Sequence, residues 1–226
     1  MDDHPLDNPV WTSLSGAQSG LGQRRGRAAR FREDVCPFAA LPLDLTEADW
    51  DDLAALAGPG GTVVLAGPPR IPPAGWTAEA SISGVQLDGS GMAVRPEPEA
   101  VVLGDADVPE MLDLVARTRP GPFLQNTRLM GTYLGIRRGG ALVAMAGERM
   151  RPPGWTEISA VCTDTAHQGQ GLAGRLVRAV GAVIRERGDV PFLHTGASNT
   201  TAIRLYEHLG FTLRQKLEFA GVQAPV

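Results

Sequence analysis

The sequence predicts an α+β protein of the α/β type, with a smaller α+β region over residues 1–95 and a larger unit over residues 96–226. Apolar residues make up 43% of the 226 positions and charged residues 20%, which is a globular composition. After residue 96, strand-like segments alternate with segments of helical periodicity. Between the two parts, residues 88–99 combine turn-forming residues with two prolines, which indicates a linker.

The larger unit begins with a predicted strand over residues 101–103. We expect Asp107 to cap the helix that follows, with Glu110 three residues later as its capping-box partner. The sequence Pro-Gly-Pro at 120–122 should end this helix.

Three further strands follow in the larger unit. Residues 132–137 and 141–150 are predicted strands, and the Arg-Gly-Gly sequence at 138–140 is a hairpin turn between them. Residues 156–163, rich in Ile, Val and Thr, are the third strand.

The remaining elements comprise two helices and two strands. A long helix is predicted to end at Gly188. Its apolar residues lie on one face at helical spacing: Leu172, Leu176, Val180, Val183 and Ile184. Residues 190–195 form a strand, and Asn199 caps a helix that runs to Leu209. A final strand covers residues 211–219.

The first 95 residues contain fewer signals. Residues 46–57 have the pattern of a helix capped by Thr46, and residues 62–66 and 76–87 contain strands. The arginine-rich segment 14–32 is interpreted as a solvated, loosely ordered stretch, with a basic arm that contacts phosphates as the alternative.

Composition excludes several classes of function. The net charge of −4 argues against nucleic acid as a partner, and no apolar run reaches the length of a membrane helix. We expect no secretory signal, since the first residues lack an apolar segment. The distant cysteines, Cys36 and Cys162, predict a reducing cytoplasm, and the four scattered histidines predict that there is no metal site.

One glycine-rich stretch, residues 167–174, lies between a predicted strand and a predicted helix. Free N–H groups at such a helix start favour pyrophosphate. Gly169, Gly171 and Gly174 also satisfy the dinucleotide fingerprint G-x-G-x-x-G, and Asp189 lies about twenty residues further on. In a dinucleotide-binding fold the first glycine directly follows the strand, and the acidic residue lies at the end of the next strand. Here five residues separate the strand from the first glycine, and Asp189 lies before the next strand, which argues against that alternative.

The stretch from Gln168 to Ala173, Gln-Gly-Gln-Gly-Leu-Ala, resembles the acyl-CoA signature Q/R-x-x-G-x-G/A of the GNAT N-acetyltransferase superfamily. Residues 199–211 are similar to the Asn-x-x-Ala-x-x-x-Tyr helix of that family, with its Gly-Phe ending. Residues 191–199 are nearest to the branch containing glycine N-acyltransferase-like proteins. In that branch a degenerate half precedes the catalytic half, and residues 1–95 are expected to be such a half.

The resemblance implies a mixed, mostly antiparallel central sheet flanked by helices, with acetyl-CoA as acyl-donor cosubstrate. The backbone of residues 161–163 would bind the pantetheine arm, the glycine-rich loop the pyrophosphate, and the Asn199 helix the rest of the arm. The implied binding residues are Val161, Cys162, Thr163, Gln168, Gly169, Gln170, Gly171, Leu172, Ala173, Gly174, Asn199, Ala202 and Tyr206.

Two residues are implied to carry the chemistry. Tyr206 would protonate the leaving thiolate, and Glu157 would deprotonate the amine directly or through a water. Glu148 is a weaker candidate for the base. Cys162 is interpreted as a packing residue, and His167 and His194 are expected to flank the site without catalysing a step.

The sequence therefore predicts an acyl-CoA-dependent N-acetyltransferase that transfers acetyl directly to a primary amine of a small molecule or peptide N-terminus. The alternative is a catalytically weak CoA-binding module. The acceptor is expected near residues 120–131, as in the family. Many relatives are dimers, so a homodimer is allowed, and neither nucleic acid nor membrane is expected as a partner.

Overall fold

The described residues, 4–226, form a continuous mixed sheet with helices on both faces in this computed structural model. The strands are β1 (Gly22–Arg25), β2 (Ala28–Phe31), β3 (Phe38–Ala40), β4 (Thr62–Gly67), β5 (Thr77–Asp88), β6 (Val101–Val102), β7 (Tyr133–Arg138), β8 (Ala141–Glu148), β9 (Trp155–Thr163), β10 (Val190–Gly196) and β11 (Thr212–Gln223). The α-helices are α1 (Pro9–Leu14), α2 (Glu47–Ala57), α3 (Val108–Thr118), α4 (Leu172–Glu186) and α5 (Thr200–His208).

The strand order across the sheet is β1-β2-β3-β4-β11-β5-β10-β9-β8-β7-β6. Neighbouring strands are antiparallel, except for the parallel pairs β3–β4 and β9–β10. The predicted fold class, α+β with a mixed, mostly antiparallel sheet flanked by helices, is confirmed.

Strand β5 connects the two predicted parts of the chain. It precedes residue 96, yet it pairs with β10 on one side and with β11 on the other. The sheet is continuous and contains strands from both sides of the proposed boundary between residues 95 and 96. The division into two domains at this boundary therefore stays a prediction.

Helices cover the two faces of the sheet unequally. Helices α4 and α5 pack on one face, where α4 presents the apolar stripe that the sequence predicts, including Leu172, Leu176 and Val180. The opposite face is covered by α3 over β7 to β9 and by α1 over β2 and β3. No helix within residues 4–226 is both long and apolar enough to cross a bilayer.

Asp107 occupies the N-cap position of α3, as predicted, but its side chain makes no capping hydrogen bond to the helix. Asp107 has helical backbone angles, and its carboxylate accepts a hydrogen bond from the Gly104 N–H (2.7 Å) within a short 3-10 turn. Both Asp107 and Glu110 form ion pairs with Arg137 instead. The tertiary ion pairs therefore replace the local capping box.

The arginine-rich segment is also more ordered than expected, because it folds as the β1–β2 hairpin. Arg30 is buried, donates hydrogen bonds to the Leu56 and Ala57 carbonyls at the end of α2, and forms an ion pair with Glu33. A cation at a helix C-terminus satisfies free carbonyls and the helix dipole. This long-range role explains why local composition misled the interpretation.

Candidate active site

The parallel strands β9 and β10 separate partway along their length. They pair only over Trp155–Glu157 and Val190–Phe192, and beyond this point residues 158–163 and 194–196 line an open cleft of about 1030 Å³. A bulge on β9 helps to open it, since Ala160 has φ +51° and two residues stand opposite Ala146. The cleft exposes strand backbone that has no neighbouring strand.

The glycine-rich loop forms one end of this cleft. Gly169 and Gly171 have φ values of +77° and +71°, which glycine adopts without strain, and α4 begins directly after Gly171. The backbone N–H groups of residues 169–174 have no acceptor within residues 4–226. Successive free donors at a helix start are favourable for binding an anion such as pyrophosphate.

Helix α5 forms a second wall of the cleft. The Asn199 side chain accepts a hydrogen bond from the Ala202 N–H (3.2 Å), so it caps the helix as predicted, and both residues line the cleft. Tyr206 lies on the same wall and is 7% exposed. Burial raises the pKa of Tyr206 to about 12, so its hydroxyl keeps its proton at neutral pH and can donate it.

Several predicted residues meet in this one cleft. Its lining includes residues 161–163, most of the glycine-rich loop, Asn199, Ala202 and Tyr206; Gln170 is the loop residue outside the lining. The Thr163 hydroxyl is buried without a hydrogen-bond partner in the described part of the chain. An orphaned polar group beside free backbone N–H groups fits a ligand that has both amide and phosphate groups, as acetyl-CoA has.

Glu157 does not line the cleft. Its side chain is fully buried, and its carboxylate accepts hydrogen bonds from Arg149 Nε (2.8 Å) and Nη2 (2.6 Å) and lies 2.7 Å from His194 Nδ1. Burial alone would raise its pKa, but the Arg149 charge and hydrogen bonds, together with His194, hold the pKa of Glu157 low, at about 2. This geometry disfavours the direct or water-mediated base that the resemblance implied, because no atom of the carboxylate is open to the cleft.

The hydrogen bonds around His194 define its tautomer. Arg214 donates to Gln86 Oε1 (2.8 Å), so Gln86 Nε2 is the donor that lies 3.0 Å from His194 Nε2. His194 Nε2 therefore accepts, and Nδ1–H donates to Glu157. Both ring nitrogens are occupied, which agrees with the expectation that His194 flanks the site without catalysing a step.

The weaker candidates lie in supporting positions. Glu148 is buried in an ion pair with Arg187 (3.0 Å) and is absent from the cleft lining. Cys162 is buried beside residues of α3, and burial raises its thiol pKa to about 11, which supports its interpretation as packing. Among residues 4–226 no three His, Cys, Asp or Glu side chains cluster as a metal site.

Part of the predicted acceptor region and several residues that the sequence did not single out complete the cleft. Of the predicted acceptor region, Pro120, Gly121 and Pro122 line it. Arg149 and Phe219 do so as well, and the first 95 residues contribute Phe38, Val64, Glu79, Ala80 and Ile82. No local motif marks these residues, because their meeting depends on how β3, β4, β5 and β11 assemble in the sheet.

Comparison with known proteins agrees with this geometry. Residues 133–220 match the family model described as FR47-like protein. A crystal structure of a GNAT-family acetyltransferase protein from Novosphingobium aromaticivorans DSM 12444 is 41% identical, covers 99% of this chain and 100% of its own, and superposes with a TM-score of 0.91. A GCN5-related N-acetyltransferase from Kribbella flavida shares the fold, with 19% identity, 96% coverage of both chains and a TM-score of 0.62.

A curated relative is similar over a shorter stretch. The N-alpha-acetyltransferase RimI of Mycobacterium tuberculosis is 38% identical over 82 residues, which are 35% of this chain. The match spans about half (51%) of that relative's length. Taken with the full-length match to the Novosphingobium protein, these similarities show that the chain belongs to the GNAT family of N-acetyltransferases, whose cosubstrate is acetyl-CoA.

Proposed function

We propose that this protein binds acetyl-CoA in the cleft between β9 and β10 and transfers the acetyl group directly to a primary amine of a small molecule or peptide N-terminus. The observation that carries the proposal is the separation of the two strands beside six free N–H groups on residues 169–174. The pyrophosphate of the cosubstrate would bind at that loop, and its pantetheine arm would bind along the free edge at residues 161–163.

The reaction joins the amine nitrogen to the acetyl carbonyl carbon and breaks the carbon–sulfur bond. In this scheme the Val161 N–H, on the free edge of β9, stabilises the oxyanion. The Tyr206 hydroxyl, which is protonated at neutral pH, donates a proton to the departing thiolate. The attacking nitrogen gives up one proton, so the atoms and charges balance.

The carboxylate that lines the cleft is Glu79 of β5, which has no ion-pair partner in the described residues. We assign Glu79 the role of the base that takes the proton from the amine. It replaces Glu157, whose carboxylate is enclosed by Arg149 and His194. Glu157 then positions these two side chains. Glu79→Gln should lower kcat/KM with little effect on acetyl-CoA affinity. If the dependence of kcat/KM on pH is the same in Glu79→Gln and wild type, this assignment is excluded.

The alternative is a catalytically weak CoA-binding module, which the enclosure of Glu157 favours. The two functions differ in their need for the Tyr206 hydroxyl: an enzyme loses activity in Tyr206→Phe, whereas a binding module has no turnover to lose. Three further expectations remain proposals: that the chain is related to the glycine N-acyltransferase-like branch, that it is cytoplasmic and that it forms a homodimer.

The first experiment measures the thermal unfolding midpoint with acetyl-CoA, with NAD and without ligand. A ligand that binds only the folded state must raise the midpoint. A rise with acetyl-CoA and none with NAD is expected, and release of free thiol in the presence of an amine panel then identifies turnover. No rise with acetyl-CoA would contradict the proposal, and a rise with NAD would favour the dinucleotide alternative.

A further inference from the structure

Five side chains form a closed ring at the point where β9 and β10 separate. Arg149 pairs with Glu157, and Glu157 contacts His194. The His194 ring lies 5.8 Å from Phe219, Phe219 lies 5.9 Å from Phe38, and the Arg149 guanidinium carbon lies 4.8 Å from the centre of the Phe38 ring. We refer to these five residues as the fork cluster.

Within the fork cluster, Arg149 has donors left over. A guanidinium has five N–H groups, and Glu157 accepts one from Nε and one from Nη2. Nη1 has no acceptor within residues 4–226, although the Arg149 side chain is only 7% exposed and lines the cleft. A charged donor that lines a cleft without a protein partner is free to bind an oxygen atom of a ligand there.

The fork cluster lies on the face of the sheet opposite to α4 and α5. Side chains alternate along β10, and Leu193 packs in the core under α4, whereas Phe192 packs in the core with Phe38. His194 therefore shares the face of Phe192. The glycine-rich loop and Tyr206 belong to α4 and α5, so a second molecule bound at the fork cluster would approach from the other side of the separated strands.

The walls around Arg149 indicate what that molecule carries. Phe38, Val64, Phe219 and Ile82 make one side of the cleft apolar, and Glu79 is a carboxylate on that side. Glu157 already neutralises Arg149, so the free Arg149 donors suit a carbonyl oxygen as well as a carboxylate. A molecule that carries an amine, a nearby oxygen and an apolar side chain would match the Glu79 carboxylate, the free Arg149 donors and the apolar wall together.

Given the function proposed above, we infer that the fork cluster is the acceptor site, and that it takes an amine with an apolar side chain whose neighbouring carbonyl or carboxylate oxygen is bound by Arg149. Arg149 is then the residue that determines acceptor specificity. The first 95 residues supply the apolar wall through Phe38, Val64 and Ile82, which gives this region a direct part in substrate binding.

The test uses three amines that share one phenyl group: L-phenylalaninamide, L-phenylalanine and phenethylamine. Thiol release is measured for each at saturating acetyl-CoA. At least one of the two oxygen-bearing amines should exceed phenethylamine by roughly tenfold or more in kcat/KM, as expected for a hydrogen bond to a charged group. A preference for the amide indicates a peptide N-terminus as the source of the amine, and a preference for the carboxylate indicates a free amino acid.

Variants separate recognition from stability. Arg149→Lys keeps a cation beside Glu157 but removes the guanidinium fork, so the preference over phenethylamine should fall to within about twofold while the KM for acetyl-CoA stays unchanged. Arg187→Lys is the matched control, since Arg187 pairs with the buried Glu148 outside the cleft, and it should keep the preference. If Arg149→Lys does not fold, Phe38→Leu replaces it and should raise KM for all three amines.

Equal kcat/KM for the three amines, or no turnover of any of them while acetyl-CoA still raises the unfolding midpoint, would overturn this inference and leave the CoA site intact. A preference retained in Arg149→Lys, or an unchanged KM in Phe38→Leu, would overturn it as well. Failure of acetyl-CoA to raise the midpoint would instead contradict the proposed function itself.

Discussion

At the scale of single residues, the chain's two tyrosines differ in what surrounds their hydroxyl groups. Tyr206 lines the cleft, whereas the Tyr133 hydroxyl is buried without a partner in the described part of the chain and lies outside the cleft lining. The same substitution at the two positions therefore separates a chemical role from a packing role.

Tyr206→Phe should lower kcat by about 10²-fold or more, which is the usual contribution of a general acid, with an unchanged KM for acetyl-CoA. Tyr133→Phe is the control and should keep full activity, because it removes a hydroxyl that has no described partner. Steady-state thiol release measures both. Equal activity of Tyr206→Phe and wild type would exclude the tyrosine as the acid.

Glu157 predicts a pH-dependent stability. Its pKa is about 2 in the folded protein against an ordinary value of 4.5, so unfolding takes up a proton between these values and stability falls as the pH falls through this window. Glu157→Gln leaves Arg149 buried without its counter-ion, which should lower the free energy of unfolding by about 3 kcal/mol at pH 7.

Urea titrations at pH 7 and at pH 3 measure this effect. The difference in the free energy of unfolding between Glu157→Gln and wild type should be smaller at pH 3. At that pH the stabilisation that the ionised carboxylate of Glu157 gives the wild-type protein is partly lost. Glu97→Gln, at the partly exposed ion pair with Arg175, is the comparison variant and should have the smaller effect at pH 7. A constant difference at both pH values would contradict the low pKa.

At the scale of elements, α4 has a positive-φ glycine at each end. Gly171 precedes its first residue with φ +71°, and Gly188 follows its last turn with φ +85°; at neither position does a Cβ meet a neighbouring atom within 4 Å. Only Gly171 belongs to the proposed phosphate loop, so alanine at the two positions imposes similar backbone strain with different effects on binding.

Gly171→Ala should weaken acetyl-CoA binding by roughly tenfold, because strain of about 1 kcal/mol moves the loop N–H groups from their positions. Gly188→Ala should lower stability by a similar amount and leave the affinity unchanged. Calorimetric titration with acetyl-CoA and thermal unfolding of both variants measure these two effects. Equal affinities would show that the loop does not bind the phosphates.

At the scale of the whole molecule, the sheet depends on a strand from the first part of the chain. Strand β5 lies between β10 and β11, and β4 pairs with the other edge of β11. A chain of residues 96–226 alone would leave β10 and β11 without these neighbours, and unpaired strand edges favour aggregation.

We expect residues 96–226 to aggregate or to unfold without cooperativity when expressed alone, and co-expression with residues 1–95 to restore a soluble complex. Size-exclusion chromatography and circular dichroism measure both outcomes. A monomeric fragment that unfolds cooperatively and binds acetyl-CoA would instead support an independent domain beginning at residue 96.

Local patterns predicted much of the larger unit. The helix α4, the cap at Asn199 and the hairpin at 138–140 depend on side chains within one or two turns of each other, so periodicity and turn residues were sufficient. The glycine-rich loop was predicted for the same reason. By contrast, the order of the 14–32 segment depends on Arg30 meeting the end of α2, which is distant in sequence.

The sequence by itself determined the class of elements, the glycine-rich loop before α4 and the family to which the chain belongs, because these follow from neighbouring residues. Only the tertiary structure decided that β5 enters the sheet between β10 and β11, that Glu157 is enclosed by Arg149 and His194, and that Phe38 reaches the cleft. Pairing between distant strands and burial of charge depend on contacts across the whole chain, and no local pattern encodes them.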